Sequence, residues 1–258
     1  MSKTHRRLLG AIAAIAGLSA IYPGGATASV PVDLRVVTNE GANLADVIQY
    51  VPQTETVRTY NGPDCFNSSK QSSGRSYAQA SPNMLSAIWE ASQAQPTLDP
   101  VRLSDADYAN FGALAVCQIN AKSEPGFAYF NLRANHNAIP VGADLFSLRG
   151  GEDLVAYRTP SDGTIGAELD LGAPIRTTPG SVVVNVRAYN ATFGDPNLGA
   201  VEFRPGIVVA GGDAPAVTDK NGNAVVTLSN AGTYQLVATG GYNDIPSPVM
   251  SVCVQPLP

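Results

Sequence analysis

The chain has 258 residues, of which 16 are basic and 21 are acidic, with three cysteines and two histidines. The first 28 residues hold three of the basic residues and none of the acidic ones, so the remaining 230 carry a net charge of −8. Nucleic acid and anionic membranes bind clustered basic patches. This composition argues against both as partners.

Residues 1–28 have the pattern of a secretory signal. An apolar run of 14 residues from Leu8 to Ile21 follows a basic start, and Ala26-Thr27-Ala28 precedes Ser29. A membrane-spanning helix needs roughly 20 apolar residues, whereas a short apolar run with an A-x-A site is typical of a cleaved signal. We predict cleavage after Ala28 and a secreted, extracellular protein, with no transmembrane segment after cleavage.

The three cysteines, Cys65, Cys117 and Cys253, all lie in the part that would be exported. Disulfides persist in oxidising compartments, and three cysteines allow one bridge with one left over. We favour a bridge between Cys65 and Cys117, because both lie in the first half and flank its clearest helix; other pairings stay open. Cys253 alternates with two valines, which predicts a small, buried strand residue.

Alternating apolar residues predict three strands at the start of the mature chain, at residues 32–37, 45–51 and 54–60. Residues 67–80 are polar and rich in serine, which predicts a surface loop. Ser81-Pro82 predicts a helix start, because serine accepts hydrogen bonds from the free amides of the first turn and proline has no amide to leave unused. Apolar residues at helical spacing follow, and Pro96 ends the helix.

Further strands are predicted after this helix, at residues 113–119, 127–133 and 153–157. The turn Asn135-His136-Asn137 follows the second of these and holds the single histidine of the mature chain. Short strands around one main helix indicate an α+β sheet with the helix on one face. We assign residues 29–158 to this first domain.

The order of motifs in this domain resembles a known family. The motifs are Cys65, a Ser-Pro helix with an inner Leu-x-x-Ile, Val-Cys-x-Ile at 116–119, Ala134-Asn135-His136, Val141-Gly142-Ala143-Asp144 and Leu148-x-x-Gly151-Glu152-x-Leu154. Over about residues 32–158 they resemble the bacterial domain similar to the carboxy-terminal region of transcobalamin. The resemblance implies a β-grasp, ubiquitin-like sheet and, as for some members of that family, a corrinoid-like ligand.

Residues 159–180 are rich in proline and glycine, which predicts a linker. Beyond it, short strand patterns separated by turn residues predict an all-β, immunoglobulin-like sandwich over residues 181–258. Thr218-Asp219-x-x-Gly222, followed by Gly232-x-Tyr234-x-Leu236-x-Ala238, resembles the bacterial immunoglobulin-like and carboxypeptidase-regulatory-like sandwiches, over about residues 178–254.

The sequence carries no strong catalytic or metal-binding pattern. Nucleophilic catalysis usually needs a nucleophile, a base and an orienting group, and His136 lies in a polar hairpin without such partners in a motif. Asp105 and Asp107 lack the further ligands that hard cations need. We predict a protein that is not an enzyme and that has no cofactor and no metal.

Two functions stay open. The first is a non-catalytic, adhesion-type interaction protein that presents surfaces to a macromolecule or a component of the bacterial cell envelope. The second is an extracellular carrier of a small apolar, corrinoid-like ligand, in a groove beside the 134–137 turn. Its predicted ligand-binding residues are Tyr129, Asn131, Asn135, His136 and Tyr157. A concave apolar pocket beside them would favour the carrier, and a flat surface would favour the interaction protein.

Overall fold

The computed structural model describes residues 29–38, 41–79, 82–120, 130–159, 166–190, 201–241 and 243–256. In these ranges the chain is mostly β-strand, with two α-helices. No helix within them combines the length and the apolar character that a membrane span requires. The signal sequence and Tyr129 lie outside the described residues, so what we expect of them stays a prediction. We refer to residues 29–159 as the first half and to residues 166–256 as the second half.

The described part of the first half contains eleven strands, two α-helices and a short 3-10 helix. They are β1 (Val30–Val37), β2 (Asn43–Val51), β3 (Glu55–Arg58), β4 (Asn61–Pro63), β5 (Gln71–Ser73), β6 (Ser76–Gln79), α1 (Met84–Ala94), the 3-10 helix (Pro96–Leu98), β7 (Arg102–Ser104), α2 (Tyr108–Phe111), β8 (Ala115–Gln118), β9 (Phe130–Ala134), β10 (Asn137–Ala138) and β11 (Asp153–Arg158).

A five-stranded sheet in the order β2-β1-β11-β9-β10 organises this half. The strand β1 pairs antiparallel with β2 and parallel with β11, where Leu34 lies opposite Leu154. Alternate residues of a strand point to opposite faces, and Leu34 and Leu154 belong to the core that includes α1. On the opposite face, Val155 and Tyr157 pack with Ile245 of the second half. The central strands are therefore buried on both faces.

The helix α1 begins later than the sequence predicted. Asn83, not Ser81, is the capping residue: it is extended, and its Oδ1 accepts a hydrogen bond from Ser86 N at 2.8 Å. Asparagine suits this position because its short side chain reaches the free amides of the first turn, so Pro82 lies outside the helix. The predicted apolar face is confirmed, and it is buried through Met84, Leu85, Ile88 and Ala91.

Two-stranded sheets are formed by β3 with β6, by β4 with β5 and by β7 with β8. The strands β5 and β6 fall within residues 67–80, so the prediction of a loop there is wrong. The reason is Asp105, whose carboxylate accepts hydrogen bonds from Ser72 Oγ at 3.1 Å, Ser73 N at 2.7 Å and Tyr77 Oη at 2.8 Å. Burial would raise the pKa of Asp105, but a hydrogen bond from Ser73 Oγ, together with these three, lowers it to about 2.

The predicted disulfide between Cys65 and Cys117 is confirmed, with the two Cα atoms 5.6 Å apart. It joins the loop after β4 to β8 across 52 positions of sequence. The loop after β4 is thereby fixed beside β8, which matters for the groove described below.

The second half contains nine strands in its described residues. They are β12 (Glu168–Gly172), β13 (Arg176–Thr177), β14 (Gly180–Tyr189), β15 (Val201–Phe203), β16 (Val208–Ala210), β17 (Ala216–Val217), β18 (Asn223–Leu228), β19 (Gly232–Thr239) and β20 (Met250–Val254). One sheet has the order β12-β14-β15, with β18 also paired to β14, and the other has the order β13-β20-β19-β16-β17. Both sheets supply residues to one apolar core, an arrangement compatible with a β-sandwich.

Two sequence expectations change in this half. Residues 159–180 include β12 and β13, so the predicted linker supplies two strands. These strands are hard to predict from sequence because they are short and because β12 begins with the buried charged residue Glu168, which interrupts the apolar alternation. Cys253 is exposed rather than buried, because its strand neighbours Val252 and Val254 occupy the inward face.

Candidate functional site

Two of the five predicted ligand-binding residues, His136 and Tyr157, contact the second half, and Asn131 and Asn135 lie near them in the first half. Asn131 is in β9, Asn135 and His136 form the turn after β9, and Tyr157 is in β11. We call this contact the junction, and we define it by the network around Glu168 that consists of Arg35, Arg133, His136, Glu168 and Tyr189.

Glu168 of β12 is the centre of the junction. Its Oε1 accepts a hydrogen bond from Arg35 Nη2 at 2.7 Å, and its Oε2 lies 3.5 Å from Arg133 Nη1. The three side chains are at most 2% exposed. Arg35 also donates to the carbonyl of Pro246, and Arg133 donates to the carbonyl of Gly166 at 3.2 Å. Two guanidinium groups of the first half thus bind one carboxylate of the second half.

His136 belongs to the same network. Its Nδ1 lies 3.2 Å from Oε1 of Glu168, and its ring is stacked on Tyr189 with the centroids 3.9 Å apart. The hydrogen bond with Glu168 raises the pKa of His136, although burial opposes this. Burial would raise the pKa of Glu168, but the hydrogen bond with His136 and the charges of Arg35 and Arg133 outweigh it and lower that pKa. Both shifts favour a protonated His136 beside an ionised Glu168.

The other predicted residues bond to the protein itself. The Oδ1 of Asn131 accepts a hydrogen bond from Arg133 Nε at 2.9 Å, and the Oδ1 of Asn135 accepts one from Asp153 N at 3.1 Å. Tyr157 is 1% exposed. The geometry shows these side chains bonded to or buried within the protein, and their part in ligand binding stays a prediction.

Asp153 lies beside the junction and forms a group of three possible metal ligands with two of its residues. Asp153, His136 and Glu168 each offer one ligand atom, and these atoms lie within 4.8 Å of one another. A divalent cation there would add charge beside the two buried guanidinium groups of Arg35 and Arg133, which already neutralise Glu168. The charges of this cluster thus favour an ion-pair network over a metal centre.

An open groove lies elsewhere in the first half and shares no lining residue with the junction. Its volume is about 710 Å³. Its apolar lining includes Phe66, Phe111, Leu114, Ile139, Val141 and Leu145, and its polar lining consists of Asp64, Ser104 and Asp107. We call this feature the apolar groove.

The apolar groove brings together large apolar side chains that remain in contact with solvent. Phe111 is 75% exposed, Phe66 is 55% exposed and Leu145 is 50% exposed. Single exposed apolar side chains are ordinary on a protein surface, but several of them around one cavity form a candidate binding site.

Local structure holds the walls of this groove in place. Phe66 follows the disulfide-bonded Cys65, and its amide donates to Oδ2 of Asp64 at 3.1 Å. Phe111 ends α2, where Gly112 adopts the left-handed conformation with a φ of 66°. On the other wall, a Cβ atom at Gly142 would lie 2.5 Å from the Cβ of Ala113, so only glycine permits this close approach.

A second cavity of about 320 Å³ adjoins the apolar groove. The two share Phe66, Leu114, Ala115 and Gly142, and the second is also lined by Phe130 and Leu132 of β9. The apolar surface therefore continues from α2 towards the five-stranded sheet.

No protein-family model and no curated protein matches this chain.

Sequence reasoning missed both Glu168 and the apolar groove. Glu168 was assigned to a linker, although Leu169 and Leu171 alternate there as in a short strand. The groove left a weaker signal, because Phe66 and Phe111 stand as isolated aromatic residues in polar segments. Nothing local in the sequence indicates that these two residues share one cavity.

Proposed function

We propose that this chain is a secreted, non-catalytic binding protein of the bacterial cell exterior, and that it carries a small apolar ligand in the apolar groove. The observation that carries the proposal is the grouping of exposed Phe66, Phe111 and Leu145 around one cavity. Small-molecule sites are concave and mostly apolar, with volumes of roughly 300–1,000 Å³. The groove falls in that range.

The strand order of the first half supports assignment to the β-grasp class. A hairpin of β1 and β2 precedes α1, and β11 returns to pair in parallel with β1 at the centre of the sheet. The helix packs on one face of that sheet. This strand order and the position of the helix support the β-grasp sheet that the resemblance of the motifs implies.

Two features support export. Residues 1–28 have the composition of a cleaved signal, and the disulfide between Cys65 and Cys117 belongs to an oxidising compartment. The immunoglobulin-like sandwich proposed for the second half is common among proteins that act outside the cell.

A second candidate function is adhesion-type interaction with a macromolecule or a component of the cell envelope. It is favoured by the outer face of the second half, where Val183 and Val225 pair across β14 and β18 and both are more than 60% exposed. Val217 is exposed beside them and lines the same shallow surface. An apolar sheet face of this kind can contact another protein.

The carrier proposal is tested with the full chain, exported and oxidised, by titration with Nile red, a neutral apolar dye, and by calorimetry with a panel of corrinoids. We expect saturable binding of at least one apolar molecule. Phe111→Ser should weaken it by about 10- to 150-fold, since it removes an apolar contact worth about 1.5–3 kcal/mol. Ile175→Ser, at an exposed position of the second half, is the matched control.

Unchanged affinity in Phe111→Ser, or absence of binding by the dye and by every corrinoid, would refute the carrier. The interaction hypothesis predicts a different pattern. Binding of the chain to cell-envelope fractions should then be lost in Val183→Asp with Val225→Asp and should persist in Phe111→Ser.

A further inference from the structure

The ionisable residues that line the apolar groove all have the same charge. They are Asp64 and Asp107, and no lysine, arginine or histidine is among the lining residues found in the described chain. An apolar cavity with carboxylates at its wall differs from a purely hydrophobic one, because it can discriminate between head groups of a ligand as well as accept its apolar body.

Asp64 is buried, with 6% of its surface exposed, and its hydrogen-bond partners are neutral. Its Oδ1 accepts from Ser104 Oγ at 2.5 Å, and its Oδ2 accepts from the amides of Phe66 at 3.1 Å and Asn67 at 2.9 Å. A carboxylate offers about four acceptor positions, so one remains on Oδ1. In the described part of the chain no ion pair joins Asp64 to a basic side chain.

Asp107 differs from Asp64 in this respect. It forms an ion pair with Lys70, and Asn110 Nδ2 donates to its Oδ1 at 2.9 Å. The hydrogen bond from Lys70 lowers the pKa of Asp107. Lys70 thus neutralises Asp107 at the rim of the groove, whereas the carboxylate of Asp64 has no cationic partner among the described residues. Buried charges are costly unless they are paired.

The aromatic rings of the groove also favour a positively charged ligand. Phe66 and Phe111 both line the groove and both remain largely exposed. The face of an aromatic ring attracts cations, and quaternary ammonium groups are recognised in this way. Carboxylates and aromatic rings around one cavity are therefore complementary to an ammonium group.

We propose that the ligand of the apolar groove is a cationic amphiphile: an apolar body that contacts Phe66, Phe111 and Leu145, with one ammonium group held by Asp64. This inference rests on the proposed carrier function and specifies the chemical class of its ligand. Charge complementarity and the apolar lining select the same kind of molecule, and the negative net charge of the mature chain favours its approach.

The test is a series of three probes with the same decyl chain and different head groups: decylammonium, whose N–H groups can donate to Asp64, decyl maltoside and decyl sulfate. Each is titrated below its micelle concentration into the full, oxidised chain and followed by calorimetry. We expect the cation to bind about tenfold tighter than the neutral probe, and the anion to bind weakest.

Single substitutions test whether the carboxylates cause the tighter binding of the cationic probe. Asp64→Asn should remove the advantage of the cation. Asp107→Asn, at a more exposed site that should tolerate the change, should reduce the advantage because Lys70 is then unpaired at the rim. Glu202→Gln, which removes an exposed carboxylate of the second half, should leave it unchanged.

The outcomes separate this inference from the function on which it rests. Equal affinity for the three probes, or tightest binding of the anion, overturns the cationic ligand and leaves an apolar carrier. Absence of binding by all three overturns both. An advantage of the cation that is unchanged in Asp64→Asn overturns the role of Asp64, whatever the effect of Asp107→Asn.

Discussion

The junction and the apolar groove both gather aromatic and charged residues, but they differ in what those residues contact. In the junction, Glu168 is bound by Arg35 and His136, and the ring of His136 is stacked on Tyr189. In the groove, Phe66 and Phe111 are largely exposed, and Asp64 has no cationic partner among the described residues.

This difference separates a structural network from a binding surface. A buried charged group that is paired with opposite charges of the protein has little to offer a ligand. Apolar side chains around a cavity are in contact with water, and a ligand that covers them removes this unfavourable contact. The charged residues and the histidine of the junction therefore connect the two halves, and exposed apolar residues form the candidate binding site.

The largest expected effect is that of Glu168→Gln. It leaves the guanidinium groups of Arg35 and Arg133 buried without their counter-charge, and breaking a buried pair costs about 3–5 kcal/mol. We expect the free energy of unfolding in urea to fall by this amount, while the affinity for Nile red changes little in the folded protein.

The matched control is Asp170→Asn in the same strand, where the side chain is partly exposed. Surface substitutions usually change stability by no more than about 0.5 kcal/mol. Equal destabilisation by the two variants would show that Glu168 does not hold the junction.

Removal of the disulfide should have a comparable effect on stability and, unlike Glu168→Gln, should also damage the groove. For a separation of 52 residues, the chain-entropy model gives about 4 kcal/mol for the double variant Cys65→Ser with Cys117→Ser. The loop that carries Phe66 is then free to move, so Nile red should also bind more weakly.

Cys253→Ser is the control for this prediction, because the exposed Cys253 has no disulfide partner. Wild-type affinity for Nile red in the doubly substituted protein would contradict the role of the bridge in shaping the groove.

The smallest expected effect is a dependence of stability on pH that comes from the junction. The raised pKa of His136 adds stability below its ordinary value of 6.5, and this is lost as the pH rises through the folded value. The lowered pKa of Glu168 adds stability above its ordinary value of 4.5, and this is lost as the pH falls. The contribution of the junction is therefore greatest between these two values.

This prediction is measured by urea unfolding at pH 5.5 and pH 8.5. The comparison is made in a Glu90→Gln background, because a hydrogen bond with Glu55 raises the pKa of Glu90 to about 7 and adds a change in the same direction. His136→Asn should flatten the decline towards pH 8.5. The same decline in both proteins would exclude His136 as its source.

The sequence predicts best those features of the structure that depend on residues close together in the chain. The apolar face of α1 follows from helical spacing within a dozen residues, and the cysteine pairing followed from counting and position. The cap at Asn83 was missed because Ser81-Pro82 carries a similar signal two residues earlier. Cys253 was placed on the wrong face, since Val252-Cys253-Val254 is apolar throughout.

The candidate site depends on contacts between distant parts of the chain. Glu168 meets Arg35 across 133 positions of sequence, and no local pattern specifies that pairing. The groove is built from three separate segments around Phe66, Phe111 and Val141. His136 attracted attention because histidine is chemically versatile, but its environment is decided by the second half.

The position of the binding site is tested most directly by mapping where an apolar ligand binds. Backbone amide resonances of the full, oxidised chain can be followed by NMR during titration with Nile red. We predict that the largest shifts occur at Phe66, at residues 111–115 and at residues 139–145, with little change at residues 131–136 and at Tyr157. Shifts concentrated at Asn131, His136 and Tyr157 would contradict it and would return the binding site to the junction.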